Sequence, residues 1–347
     1  MKREDAEEGA TGRRALLAGA LAAAFLFAAA WQGRAAADEP LRPRLHFTPS
    51  RNFMNDPNGL VFLDGEYHLF YQHNPEGDRW GHMSWGHAVS RDLLRWEHLP
   101  LALREENGIM IFSGSAVVDA NDTSGLCGGS PSSCIVAVYT GHGHGKQTQN
   151  LAVSRDRGRT FRKYEGNPVI DLSRDDNRDP KVFWHAPSKR WILVSVLADE
   201  HKVRMFSSPD LKSWEALGDF GPAGATGGAW ECPDLFPLPV DGDPGNVRWV
   251  LQVDVNPGGR VGGSGGQYFV GGFDGRHFAN ANPDTTTLWV DYGKDFYASQ
   301  SYNGLPDRRV WIGWMSNWLY ANDEPTSPWR CLQSLPREVG LRSLPEG

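Results

Sequence analysis

The chain has 347 residues, with 42 Asp and Glu against 35 Lys and Arg, a net charge of −7. A mildly acidic chain with no basic cluster and no RNA- or DNA-reading motif is excluded as a nucleic-acid binder by charge. Fourteen Trp, 40 Gly and 23 Pro point instead to many short strands joined by tight turns.

Residues 1–37 have the pattern of a signal peptide. Arg13-Arg14 precedes an apolar run from Ala15 to Trp31, and Ala35-Ala36-Ala37 is a small-residue cleavage site. The paired arginines fit the twin-arginine route. The run is short and Ala-rich for a membrane span, so no stable membrane association is expected after cleavage. The expected product is secreted and spans 38–347. The leader holds five basic and four acidic residues, which leaves 30 against 38 and a charge of −8. Four Cys are present. Cys127 and Cys134 bracket a Gly/Ser/Pro loop and could close a local disulfide in an oxidising compartment. No CxxC or Cys/His zinc spacing occurs, and His142 and His144 lie in a glycine loop, so neither metal nor cofactor is expected.

Few stretches have a helical period. Tyr67–Tyr71, Ile135–Tyr139, Trp191–Val196, Trp249–Val253 and Val310–Trp314 read as five buried strands. Two patterns repeat in step with them. A Ser-x-Asp turn followed by an aromatic appears at Ser90–Trp96, Ser154–Phe161 and Ser208–Trp214, and more loosely at Gly272–Phe278. Ahead of each buried strand stands a polar or acidic start. These are Asn55-Asp56-Pro57, Phe112-Ser113-Gly114, Arg178-Asp179-Pro180, Glu231-Cys232-Pro233 and Asp295-Phe296-Tyr297, about 50 to 65 residues apart. Self-similarity at this period predicts an all-β, five-bladed β-propeller over residues 38–347. In a propeller the first strand of each blade lines the central channel. Equivalent strand starts therefore gather in one axial pocket, and Asp56, Asp179 and Glu231 meet there although far apart in sequence.

Three acids in an aromatic-rimmed pocket suit glycoside hydrolysis. One carboxylate attacks the anomeric carbon, and a protonated carboxyl gives its proton to the leaving oxygen. Crowding drives their pKa values apart, so one can stay protonated near neutrality. A third can hold sugar hydroxyls and steady the oxocarbenium-like transition state. The competing readings are acids that cap backbone amides at strand ends, or a Ca²⁺ site.

These residues resemble glycoside hydrolase family 32, the invertase, inulinase and levanase family, over nearly all of 45–347. Asn55-Asp56-Pro57-Asn58-Gly59 resembles the family's sucrose box, Arg178-Asp179-Pro180 its RDP motif and Trp230-Glu231-Cys232-Pro233-Asp234 its EC motif. The resemblance implies Asp56 as nucleophile, Asp179 as transition-state stabiliser and Glu231 as acid/base. It also implies that Gln72 and Trp80 contact the fructosyl unit and that Phe112 and Ser113 line the −1 pocket. Asn55 and Arg178 would hold its hydroxyls, and Trp314 would form a pocket wall. Gln147–Ala152, Asn256–Phe269 and Tyr297–Gln300 look most like microbial exo-acting fructanases. Gly262–Gly266 is expected to let backbone approach the sugar or a neighbouring blade. Phe53 stands where the family often has Trp, and Cys331 where a small Gly is usual. The family continues into a C-terminal β-sandwich, which is expected to be absent here, and blade five is expected to miss its outer strand. The implied function is a secreted, retaining β-fructosidase acting on levan, inulin or sucrose. The alternatives are a fructosyltransferase using the same covalent intermediate and an inactive fructan-binding propeller.

Overall fold

The computed structural model describes residues 39–344. The expected signal peptide lies outside the described residues. From Pro43 onward the chain builds five antiparallel sheets in sequence order. Blade one holds β1 (Asn52–Leu63), β2 (Glu66–His73), β3 (Ser84–Ser90) and β4 (Trp96–Leu103). Blade two holds β5 (Met110–Val118), β6 (Ile135–Gly143), β7 (Lys146–Ser154) and β8 (Arg162–Lys163). Blade three holds β9 (Asn177–His185), β10 (Arg190–Leu197), β11 (Lys202–Ser208) and β12 (Glu215–Phe220). Blade four holds β13 (Ala229–Val240), β14 (Asp243–Asn256), β15 (Gly265–Phe273) and β16 (Phe278–Asn280), with β17 (Leu288–Trp289) pairing β15. Blade five holds β18 (Tyr297–Ser301), β19 (Arg309–Trp314) and, after β20 (Trp329–Arg330), β21 (Arg337–Val339). The first strands adjoin in a ring, β1 to β5 to β9 to β13 to β18 and back to β1. This is the five-bladed propeller the repeat predicts.

The repeat has a physical meaning strand by strand. The five apolar runs are the second strands, β2, β6, β10, β14 and β19, buried between neighbouring blades. Apolar clusters fill each gap. Leu69, Tyr71 and Ile312 lie between blades five and one, and Phe70 and Val61 meet Ile135 and Ala137 between one and two. The Ser-x-Asp pattern is the turn from third to fourth strand. Ser90 Oγ accepts from the Asp92 and Leu93 amides, and Asp92 Oδ1 accepts from those of Leu94 and Arg95. Asp210 does the same for Lys212 and Ser213. Leu93, Arg157, Leu211 and Gly275 take the matching left-handed conformation, with φ of 64°, 56°, 63° and 93°.

The polar starts differ from their expected form. Each is not a lead-in but a strand in its own right, the innermost of its blade. Each also carries a register shift at the same level: Met54–Pro57, Ile111–Gly114, Arg178–Lys181, Glu231–Asp234 and Tyr297–Gln300. Pro57, Pro180 and Pro233 fit here because a bulged edge strand does not use every N–H in a ladder.

Closure comes from the end of the chain returning to β1. Trp329–Arg330 pairs in parallel with Asn52–Phe53, and the Phe62 amide donates to the Asn303 carbonyl at 2.9 Å. Asn303 ties more than one neighbour. Its amide donates to Leu60 O, and its Nδ2 donates to Ala116 O at 2.8 Å in blade two and Val182 O at 3.0 Å in blade three. Cys331 keeps a left-handed φ of 68° and is buried, so the turn survives without the usual glycine. Gly263 (φ +71°) brings backbone against Asn317 of blade five, where any Cβ would lie 2.1 Å from Asn317 Oδ1. The glycine loop therefore approaches a neighbouring blade. Cys127 and Cys134 form a disulfide.

Replacing Asn303 by Ala leaves two interior carbonyls without donors. This variant is expected to lose about 2–4 kcal/mol of stability. Urea unfolding checks it, and a loss within about 0.5 kcal/mol, the range of an ordinary surface substitution, contradicts it.

Candidate active site

At the level of the five bulges lies a cavity of ≈ 200 Å³. It is lined by Asn55 and Asp56 from β1, Phe112 and Ser113 from β5, Arg178 and Asp179 from β9, Glu231 from β13 and Tyr297 from β18. Gln72, Trp80, Asn256 and Trp318 complete it. Each bulge turns a side chain out of the ladder and toward the axis. Asp179 and Cys232 hold positive φ, 61° and 48°, to do so.

Asp56 is fixed on both oxygens. Asn55 Nδ2 donates to Oδ1 at 3.0 Å, and Ser113 Oγ donates to Oδ2 at 2.6 Å. Asn58 Nδ2 holds the Asp56 carbonyl at 2.6 Å, while Asn58 Oδ1 accepts from the Gly114 amide and from Gln72. Gln72 also donates to Ile111 O at 3.0 Å, so blade two is pinned to blade one. Asp179 Oδ2 accepts from the Cys232 amide at 2.9 Å. Cys232 Sγ lies 3.5 Å from Asp56 Oδ2 and 3.7 Å from Asp179 Oδ2, so one residue touches both acids. Glu231 accepts from Arg178 at 3.1 Å and from the Tyr297 hydroxyl.

Burial dominates the electrostatics. It pushes Asp56 up to about 6; the Ser113 hydrogen bond opposes the shift and the charge of Glu231 adds to it. It pushes Asp179 up to about 7 against the pull of Arg178, with Glu231 and Asp56 adding. Burial also works against the charge of Arg178, but Glu231 and Asp179 outweigh it and hold the guanidinium protonated. The site thus has acids poised near neutrality beside one fixed cation.

Of the ten residues that the sequence nominates, nine line this cavity. Trp314 does not. It is fully buried behind the wall, with its ring 6.3 Å from Tyr297 and 4.7 Å from Trp318. The aromatic wall is the exposed Trp80, which meets Phe112 edge-on at 6.0 Å, together with the half-buried Trp318, which stacks on Phe53. Tyr297, Asn256 and Trp318 are pocket residues that the sequence reading did not assign. Tyr297 was findable, because it ends the fifth polar start. A larger cleft of ≈ 760 Å³ is lined by Lys181, Trp184, Trp249 and Arg309, but Asp274 is its single carboxylate. Among the described residues, one group has metal-type ligand atoms within 4.8 Å of one another: Asp119, Asp122 and Cys127. Cys127 is spent in the disulfide, and Asp119 accepts from Thr123 and Ser124.

An Asp that titrates higher in the folded than in the unfolded chain costs stability as pH rises from the unfolded value toward the folded one. For Asp56 that window runs from 3.8 to about 6. Asp56→Asn is therefore expected to raise the thermal midpoint at pH 7 and to give no gain at pH 4. The difference grows by up to about 1.4 kcal/mol per pH unit inside the window. An equal change at both pH values contradicts the assigned burial cost.

The chain is similar in sequence and fold to known proteins. Residues 46–346 match the family described as glycosyl hydrolases family 32 N-terminal domain. The chain is 55% identical over 315 residues to a levanase of Bacillus subtilis (strain 168), covering 89% of this chain and 46% of that protein. It is 43% identical over 344 residues to an extracellular exo-inulinase, inuE, of Aspergillus niger, covering 88% and 63%. It superposes with a TM-score of 0.85 and 44% identity on a β-fructofuranosidase of Schwanniomyces occidentalis complexed with fructosyl-erythritol, covering 88% of this chain and 60% of that one. The chain thus spans about half to two-thirds of the relatives it matches. With the propeller, the three motifs and the axial acids in place, the chain belongs to glycoside hydrolase family 32.

Proposed function

We propose that this protein is a secreted, retaining β-fructosidase that releases terminal fructosyl units from levan, inulin or sucrose. The observation that carries the reading is the meeting of Asp56, Asp179 and Glu231, from three blades, in one small pocket beside Arg178. Similarity to a levanase and an exo-inulinase supports the substrate class. Export is supported by a relative named extracellular and by the Cys127–Cys134 disulfide, which suits an oxidising compartment. Among the described residues no helix is long and apolar enough to cross a membrane.

In this reading the work is divided among the pocket residues. Asp56, held on both oxygens, attacks the fructosyl anomeric carbon and forms the covalent intermediate. Ser113 opposes the rise that burial imposes on the Asp56 carboxyl. Glu231 gives its proton to the leaving oxygen, and Arg178 and Tyr297 stabilise the carboxylate it becomes. Glu231 then takes a proton from the water that frees the sugar. Asp179 binds fructosyl hydroxyls and opposes the positive charge of the transition state. Asn55, Gln72 and Arg178 add polar contacts, and Trp80 and Phe112 offer apolar faces at the rim. Partition of the intermediate between water and a sugar acceptor separates hydrolysis from fructosyl transfer. Concentrated sucrose gives free fructose in the first case and longer oligosaccharides in the second.

Asp56→Asn is expected to lower kcat/KM on sucrose and levan by at least about a thousandfold. The first fructose released by the wild type carries the β configuration, read by rapid NMR. Unchanged activity in the variant, or a wild type that binds levan without releasing fructose, contradicts the proposal. Ser113→Ala removes the hydrogen bond that opposes the rise at Asp56. The acid limb of kcat/KM is therefore expected to move to higher pH, and an unmoved limb contradicts that role for Ser113.

A further inference from the structure

The innermost strands that open on the catalytic pocket run on to a second cavity. Val117 and Val118 end β5, Phe183 to His185 end β9, and Leu235 to Pro237 lie in the later half of β13. With Asn303 and Arg309 of blade five they line the cleft of ≈ 760 Å³ at the opposite mouth of the channel. Lys181 and Asp234 lie between the two cavities along β9 and β13, buried, with Nζ 3.4 Å from Oδ2. Asp234 Oδ2 also accepts from the Ser301 amide at 2.7 Å, and Lys181 Nζ donates to Ser301 O. The two charges cancel.

Arg309 on β19 has no such partner. Its Nη1 donates to two neutral acceptors, Ser301 Oγ at 3.3 Å and Tyr302 O at 3.1 Å, and its guanidinium carbon lies 5.0 Å from the centroid of the Phe236 ring. Among the described residues nothing accepts from Nε or Nη2. Asp234 is the one carboxylate there whose charge acts on Arg309, and Asp234 is already taken by Lys181. Asp274, the single carboxylate lining the cleft, accepts from the Arg276 and His277 amides at 2.7 Å each. A half-buried cation without a counter-ion is costly. Burial accordingly lowers the guanidinium from its ordinary value, and the charge of Asp234 only partly offsets this. The other walls are aromatic. Trp249 meets Phe183 at 5.6 Å and Phe273 at 5.0 Å, and Trp184 is exposed.

We propose that this cleft binds an organic anion, a carboxylate on a flat apolar body: the carboxylate meets Nε and Nη2 of Arg309, and the body lies against Phe183, Trp184 and Trp249. Nε and Nη2 share one edge of the guanidinium, the fork that takes both oxygens of a carboxylate. Mostly apolar walls around one placed charge are the usual form of a small-molecule site. A neutral sugar would leave the Arg309 charge unmatched. The inference does not depend on the fructosidase reading.

Benzoate is the probe, benzyl alcohol its neutral analogue, and calorimetric titration reads Kd. The wild type is expected to bind benzoate at least about tenfold more tightly than benzyl alcohol, the scale of one charge-assisted pair. Arg309→Met keeps an apolar contact with Phe236 and removes the charge. It is expected to weaken benzoate about tenfold or more and to leave benzyl alcohol within about twofold. Benzyl alcohol or inorganic phosphate binding the wild type as tightly as benzoate overturns the proposal, as does undiminished benzoate binding in Arg309→Met. Wild-type crystals soaked in bromobenzoate give a second reading that stands even if the variant fails to fold. The bromine anomalous peak is expected against Trp184 and Trp249. A peak in the pocket beside Arg178 instead, or no peak, overturns the proposal.

Discussion

The structure depends on one repeated irregularity, the bulge that interrupts each innermost strand at a common level. A regular strand would alternate its side chains between the two faces of its blade and present only backbone to the axis. The register shifts at Asn55-Asp56, Phe112-Ser113, Asp179-Pro180, Cys232-Pro233 and Ala298-Ser299 break that alternation five times over. Positive φ at Asp179, Cys232 and Ala298 fixes the chain there. Blade packing then needs no adjustment for function. The apolar second strands close the wedges between blades, and the bulged first strands are free to carry chemistry.

Concentrating acids in this way is costly, and the surroundings show how the cost is contained. Arg178 is the one cation lining the pocket, shared between Asp179 and Glu231. Asp56 is held by hydrogen bonds from Ser113 and Asn55 rather than by a salt bridge. Cys232 stays a thiol, since burial and the charge of Asp179 push its pKa well up. It therefore fills the space between Asp56 and Asp179 without adding a charge. The pocket is a region where stability is given up for reactivity.

Much of this was legible in the sequence because a propeller repeats its punctuation. Asp-Pro and Cys-Pro pairs mark bulged edge strands, and Ser-x-Asp marks the outer turns. The reading went astray where the signal was burial rather than punctuation. Trp314 and Trp318 stand four residues apart in one aromatic stretch, and nothing in their spacing tells which faces the cavity. Packing decides it: Trp314 lies behind Tyr297 while Trp318 reaches the wall. The sequence shows the polar starts and the apolar runs but not that they belong to separate strands, because polar, proline-bearing segments do not look like strands. Apart from the two-residue contact of β1 with β20, the innermost strands pair on one side only, so strand propensity is not what holds them.

The central claim is that Asp56 becomes covalently bonded to the sugar. The most direct measurement is a rapid acid quench of the Glu231→Gln variant during turnover of β-fructofuranosyl fluoride, followed by peptide mapping by mass spectrometry. With the acid/base disabled and an activated leaving group, the intermediate forms faster than it hydrolyses. The account predicts one fructosyl unit on the peptide that carries Asp56. A label on the Asp179 peptide, or fructose released with no labelled peptide at any time point, would contradict it.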